Sequence, residues 1–380
     1  MTKPDFSAAL RLGRASALSR RSLLQALAAL PAAGAALGPT AARANVTMTW
    51  MGWQGYETPI LSGTFLEDNG IDFQPTFIAS NEEIITRLQS GGIGQTDLVT
   101  MYFGYLQLMM DAGLIETVDE SRIEAFGRLI PQFTSHPAIR RDGALLGVPW
   151  NWGSLPLMYD PSVVTAAPTS WMDVFKDEYK GKVAMVDDPL TYLLIWGPVT
   201  TGRPDGTLLS KDELAKMIDL LITLKTEHAR GFFPSYGEMA DAFARDEVAI
   251  SALGWEAVAV WAEAKGKAVS YTIPQEGTAI FMDTLTIPKE APQLDLTYAM
   301  MNHILTPPAQ LVFATEQSAG VTNLDTVPLL PPELASAYGY ADLDAKLGQA
   351  RILPMPPVEE DGANATYDDF LNEYGRLQAA

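Results

Sequence analysis

From Val46 onward, short runs of β-branched and aromatic residues alternate with stretches whose apolar positions recur every three to four residues. The first pattern predicts strands at Val46–Trp53, Ile71–Ile78 and Thr96–Met101, and the second predicts helices at Thr58–Glu67 and Tyr105–Ala112. Ser80-Asn81-Glu82-Glu83 reads as a capping box, with serine at the N-cap and glutamate at the third helical position, opening a helix to Leu88. Strand, helix, strand, helix predicts an α/β architecture with a largely parallel sheet.

The same alternation resumes further on. Leu146–Trp150 and Leu155–Tyr159 read as strands on either side of a bend at Asn151-Trp152-Gly153, and Val183–Val186 as a buried strand. Asp188-Pro189 has the form of an N-cap followed by proline at the first helical position. Ser210-Lys211-Asp212-Glu213 is a second capping box, opening a long helix to about Thr226. Ser170–Phe175, Glu256–Ala264, Leu294–Leu305 and Ala309–Glu316 are expected helices; Glu247–Leu253, Ala268–Ile273 and Phe281–Ile287 are expected strands. A proline-rich tail from Pro328 to Pro357 precedes an amphipathic helix near Tyr367–Leu377. Two α/β units joined by a Trp/Gly-rich crossing predict two lobes with a cleft between them, a common place for ligands.

Residues 1–44 stand apart. They hold Lys3, Arg11, Arg14, Arg20, Arg21 and Arg43 against the single acid Asp5. The Arg20-Arg21 pair precedes an uncharged Ala/Leu stretch, and Ala42-Arg43-Ala44 offers the small-x-small pattern accepted by signal peptidase. This is the twin-arginine export pattern, with cleavage expected after Ala44. A membrane anchor is the competing reading, but Pro31, Pro39 and Gln25 make a poor spanning helix.

Composition narrows the chemistry. The 380 residues are 47% hydrophobic and 19% charged, an ordinary balance for a chain with a large core. The net charge of −20 repels phosphate backbones, so a nucleic-acid partner is not expected. With no cysteine, disulfides, thiolate metal sites and cysteine nucleophiles are excluded. His136, His228 and His303 have no metal-ligand spacing and are read as surface or core histidines. No nucleophile elbow or phosphate loop is present, and Gly91-Gly92-Ile93-Gly94 stands between a helix and a strand, the wrong order for a dinucleotide turn. No cofactor, metal or catalytic residue is assigned, although an exported enzyme using paired carboxylates stays open as an alternative.

Several segments, taken in order, carry a resemblance. Gly52-Trp53-Gln54-Gly55-Tyr56 follows the first strand, Ser80-Asn81-Glu82-Glu83 opens a helix, and Asp97-Leu98-Val99 begins the third strand. Pro149-Trp150-Asn151-Trp152-Gly153 marks the crossing, Ser170-Trp171-Met172-Asp173-Val174-Phe175 runs on through Lys180-Gly181, and Phe281-Met282-Asp283 and Thr322-Asn323 close the series. Over roughly Val46–Asn323 the chain resembles the spermidine/putrescine-binding group of periplasmic solute-binding proteins of ABC importers.

The resemblance implies a two-lobed α/β periplasmic binding protein fold, each lobe a mixed sheet flanked by helices. The first lobe would comprise 45–152 and 283–325, the second 153–282 and 326–380, with hinges near Pro149–Gly153 and Met282–Leu285. It implies a ligand cleft lined by Trp53, Tyr56, Asp188, Trp255, Phe281 and Asp283, with aromatic faces along a methylene chain and carboxylates on ammonium ends. It also implies a monomer that docks on a membrane permease driven by an ATPase. Plainer readings stand beside these: Asp188 as a helix cap alone, and Trp53 and Trp255 as core. Departures from the family pattern fall at Gly55, at Thr191 in place of a glutamate, at Gly104 in place of a cleft tyrosine, and at Ala319 or Gly320 in place of another. Glu256, beside Trp255, is a further candidate acid. The solute is expected to be a polyamine, with another small organic cation or an amino-acid derivative as the alternative.

Overall fold

Two mixed sheets organise the computed structural model, which describes residues 45–380 apart from Ala79, Pro204, Ile352 and Pro354. The expected export segment, residues 1–44, lies outside the described residues.

The larger sheet is built on β1 (Val46–Gly52), whose buried residues Met48, Trp50 and Met51 fix it in the core. It pairs in parallel with β2 (Ile71–Phe77) on one side and β3 (Leu98–Tyr102) on the other. A small separate hairpin, β4 (Arg140–Arg141) with β5 (Ala144–Leu145), precedes β6 (Val148–Ser154). The smaller sheet follows, from β7 (Leu157–Tyr159), β8 (Val183–Val186), β9 (Ala229–Phe233), β10 (Ile250–Ser251) and β11 (Ser270–Thr272), in the order β11-β7-β10-β8-β9. The chain then returns along β12 (Thr278–Thr286), antiparallel to both β3 and β6; β13 (Gly320–Val321) edges β6, and β14 (Ala350–Arg351) pairs with β12.

One expected feature is overturned. Asn151-Trp152-Gly153 is no bend: β6 runs straight through it, because Trp152, buried between Phe133 and Tyr338, is held from both sides of the strand by β12 and β13. The irregularity lies instead in the pairing. Asp283 faces Asn151, but the next residue, Thr284, faces Pro149, leaving Trp150 as an extra residue in a β-bulge.

Local boundaries moved for local reasons. The helix expected over Thr58–Glu67 is two short ones, Thr58–Leu61 and Phe65–Asp68, parted where Gly63 takes a positive φ of 66°. The expected strand Glu247–Leu253 is only Ile250–Ser251. The proline-rich tail contains the helices Pro332–Ala337 and Leu343–Gln349 before the C-terminal helix Tyr367–Ala379. The expected capping box at Ser210 forms, Ser80 accepts from the Glu83 amide at 3.3 Å, and a further capping box, at Ser170, opens a 3-10 turn. Gly91, at φ 107°, ends a wide turn that continues the Ser80-capped helix. Among the described residues no helix is long and apolar enough to cross a membrane.

Candidate functional site

The ends of elements from both sheets converge on a cavity of about 600 Å³. All six residues named from the sequence, Trp53, Tyr56, Asp188, Trp255, Phe281 and Asp283, line it.

Trp53 and Tyr56 leave the end of β1 in a turn closed by the Tyr56 amide on the Trp53 carbonyl at 3.0 Å. Gly55 sits in this turn at φ 95°, a conformation that favours glycine, and a Cβ there would need the Gln317 side-chain amide, 2.5 Å away, to swing aside. The Tyr56 ring stands edge-on to Trp150 and Phe313, at 5.0 and 5.2 Å, which aims its hydroxyl at Asp283. That hydroxyl donates to Asp283 Oδ2 at 2.7 Å.

Asp283 is placed on β12 at the bulge, opposite both Asn151 and Tyr102. It is 5% exposed, and burial pushes its carboxyl up to about 6, against the opposing pull of the Tyr56 hydroxyl and the neighbouring Asn151 amide. A cation entering the cavity would supply the missing counter-charge.

Asp188 caps the Pro189–Thr201 helix, so the plainer reading of this residue is correct as far as it goes. Its Oδ1 accepts from the Thr191 amide at 3.1 Å, and its Oδ2 accepts from the Thr191 hydroxyl at 2.6 Å and from the Tyr236 hydroxyl at 2.7 Å. A carboxylate offers about four acceptor positions, so three donors leave room for a fourth. Thr191 therefore supports the acid rather than adding another.

Trp255 precedes the Glu256–Glu263 helix, and its indole meets Tyr236, Phe281 and Trp261 edge-on at 6.0, 6.0 and 5.2 Å. Its Nε1 donates to the Tyr338 hydroxyl at 3.0 Å. Gly153 permits this packing, since a Cβ there would stand 2.5 Å from the Phe281 ring and 3.1 Å from the Trp255 nitrogen.

Glu256 does not join the site. It points the other way, fully buried, pairing with Lys346 at 2.7 Å and accepting from the Ser154 amide at 3.1 Å and from the Ser154 hydroxyl. Its partners Lys346 and Ser154, rather than its place in the sequence, keep it out of the cavity that Trp255 lines.

Sequence reading missed Glu82, Tyr105, Tyr236 and Tyr367 as lining residues. The Tyr105 hydroxyl donates to Glu82, which sits one residue before the capping-box glutamate and so points off the cap. Tyr236 begins a helix capped by Ser235, which accepts from the Glu238 amide at 3.2 Å; the Ser-x-x-Glu spacing was the available signal. Gly104 cannot carry the expected cleft tyrosine, because a Cβ there would lie 2.6 Å from the Tyr102 ring and 2.7 Å from Met355. Tyr102 and Tyr105 line the cavity instead. Among the described lining residues Glu82, Asp187, Asp188 and Asp283 are acids, and none is lysine, arginine or histidine. Asp187 is turned outward to Tyr374 and Gln378, at 2.8 and 2.9 Å. The three histidines serve locally: His136 accepts from the Ala138 amide, His303 meets the Pro59 carbonyl, and His228 packs against Phe175.

A family model described as bacterial extracellular solute-binding protein matches residues 61–340. The spermidine/putrescine-binding periplasmic protein of Escherichia coli K12 is 27% identical over 316 residues, covering 81% of this chain and 87% of its own. The putrescine-binding periplasmic protein PotF of the same organism is 26% identical over 341 residues, covering 82% and 88%. Among solved structures, the spermidine/putrescine ABC transporter substrate-binding protein PotD from Streptococcus pneumoniae superposes with a TM-score of 0.68 at 23% identity, over 88% of this chain and 98% of its own. That likeness carries the two-lobed periplasmic binding fold.

Proposed function

Because the chain belongs to the bacterial extracellular solute-binding protein family, we propose that it is the periplasmic substrate-binding component of an ABC importer and that its solute is a putrescine- or spermidine-like polyamine. The family binds solutes rather than transforming them, so the reading as an exported enzyme is set aside.

One observation carries the choice of solute: Asp188 and Asp283 reach the same aromatic-lined cavity, and among its described lining residues no basic side chain neutralises them. Each ammonium group of a polyamine leaves water only if a carboxylate and hydrogen bonds replace its hydration. Trp53, Trp255 and Phe281 supply apolar faces for the methylene chain, and a cation over an indole gains about 0.5–2 kcal/mol. The lobe reached through β1, β3 and β12 brings Trp53, Tyr56 and Asp283; the lobe of the smaller sheet brings Asp188, Tyr236 and Trp255. A ligand touching both favours the closed arrangement, and hinge closure about β6 and β12 then presents the loaded protein to a permease and its ATPase. Residues 45–152 with 283–325, and 153–282 with 326–380, are the lobes in this reading. Residues 1–44 act as a twin-arginine signal removed after Ala44, leaving a periplasmic monomer.

A thermal-shift screen against putrescine, cadaverine, spermidine, spermine, choline, glycine betaine and basic amino acids tests this. Ligand at about 100 times Kd should add about 2.7 kcal/mol of apparent stability. Shifts confined to polyamines are expected; a shift from betaine or an amino acid alone would replace the solute.

A further inference from the structure

The six residues anticipated as ligand contacts all precede Asp325, yet the cavity wall includes a residue of the last helix, Tyr367. We propose that Tyr367 is a specificity-determining ligand contact whose ring seals the Glu82 end of the cavity. This rests on the polyamine reading above.

The ring of Tyr367 stands edge-on to Tyr105 at 6.4 Å and 86°, and the Tyr105 hydroxyl holds Glu82. The segment carrying it is firmly set. The Tyr367 amide donates to the Pro357 carbonyl at 2.9 Å, the Ala365 amide donates to the Leu209 carbonyl at 2.6 Å, and Thr366 with Asp369 forms a capping box. Lys211 reaches Asp369 at 3.1 Å and Arg376 reaches Asp219 at 2.7 Å, tying the helix to Lys211–Thr223. The same helix binds the loop that presents Asp188, through Tyr374 and Gln378 on Asp187. Tyr367 therefore stands on the Asp188 side while its ring meets Tyr105 of the turn after β3, whose hydroxyl holds Glu82 of the helix after β2.

Burial first, then Glu82, and less strongly Asp188, raise the Tyr367 phenol above its ordinary pKa, so it stays protonated. A neutral hydroxyl that feels both carboxylates can donate to one acceptor and still accept from an ammonium N–H. Removing the ring admits water, and water weakens attraction between an ammonium and these acids by raising the local dielectric. It also lengthens the space available to a linear amine.

The test is titration calorimetry of the protein and its variants with putrescine and spermidine. Tyr367→Ala is expected to weaken putrescine binding at least tenfold and to shift the preference toward spermidine at least threefold. Tyr367→Phe should weaken putrescine two- to fivefold, and Leu371→Ala, on the exposed side of the same helix, should change nothing. Affinities of Tyr367→Ala within twofold of the unaltered protein for both amines overturn the inference while leaving the polyamine reading intact. If the unaltered protein binds neither amine, the polyamine reading fails together with the contact role, and the seal is judged by hydrogen exchange. Amides of Asn81–Arg87 and Leu106–Asp111 should then exchange at least fivefold faster in ligand-free Tyr367→Ala, and unchanged exchange rejects the seal.

Discussion

Tyr56 donates its hydroxyl proton to Asp283 at 2.7 Å, across 227 residues of sequence, joining the turn after β1 to the bulge in β12. The bond holds a buried carboxyl in place at the edge of the cavity while leaving its charge without a cationic partner among the described lining residues.

The pH dependence follows from that environment. Burial raises Asp283 to about 6, whereas an unfolded aspartate ionises near ~3.9. Between these values the folded protein keeps a proton that the unfolded chain has released. The ligand-free protein therefore loses stability as pH rises from about 4 to about 6, and this group adds no further change above that. Two pK units correspond to roughly 3 kcal/mol at most. Asp283→Asn should raise the ligand-free melting temperature at pH 7, and a lowered midpoint in calorimetric melting would contradict this origin of the shift.

Ligand affinity should move the opposite way. A cation needs the ionised carboxylate, so polyamine affinity is expected to rise toward tenfold between pH 5 and pH 7 and to level off above. In Asp283→Asn the residual binding should be nearly flat over that range. Equal pH slopes in both proteins, measured by titration calorimetry, would remove Asp283 from the site.

Asp188 combines capping with charge, and substitution can separate them. Asp188→Ser keeps a good N-cap for Pro189–Thr201 and should stay within about 0.5 kcal/mol of the unaltered protein; Asp188→Ala loses the cap at about 1 kcal/mol. Both should lose most polyamine affinity. Full binding by Asp188→Ser would reduce Asp188 to a helix cap.

Lys346 and Glu256 form a buried ion pair, with the ammonium lying 5.2–5.6 Å from the rings of Trp152, Tyr271 and Tyr338. Removing one partner strands a charge, so Lys346→Met should cost about 3–5 kcal/mol in denaturant unfolding. Adding Glu256→Gln should recover part of that loss, because the amide oxygen still accepts from Ser154. A double variant less stable than Lys346→Met alone would show that the pair is not the source.

Much of the fold was legible because the strongest patterns are local. The N-caps at Ser80, Asp188 and Ser210 all formed, since a cap needs only its own first turn. Asn151-Trp152-Gly153 misled because glycine and asparagine signal turns only when no neighbouring strand claims them, and β12 and β13 do. In the site, Asp283 was readable through the Phe281-Met282-Asp283 segment that carries the resemblance. Glu256 was not, because the direction of a residue at a helix start depends on tertiary partners, here Lys346 and Ser154. Tyr367 was hidden for a further reason: it lies far along the chain, and only the docking of the last helix on Lys211–Thr223 brings it to the cavity.

The most direct measurement is titration calorimetry at pH 7.5 with putrescine and spermidine, comparing the unaltered protein with the double variant Asp188→Ser/Asp283→Asn. One amine per chain and at least a hundredfold loss of affinity in the folded double variant are expected. Equal affinity in the two proteins, or no binding by the unaltered protein, would contradict a cation held between these two carboxylates.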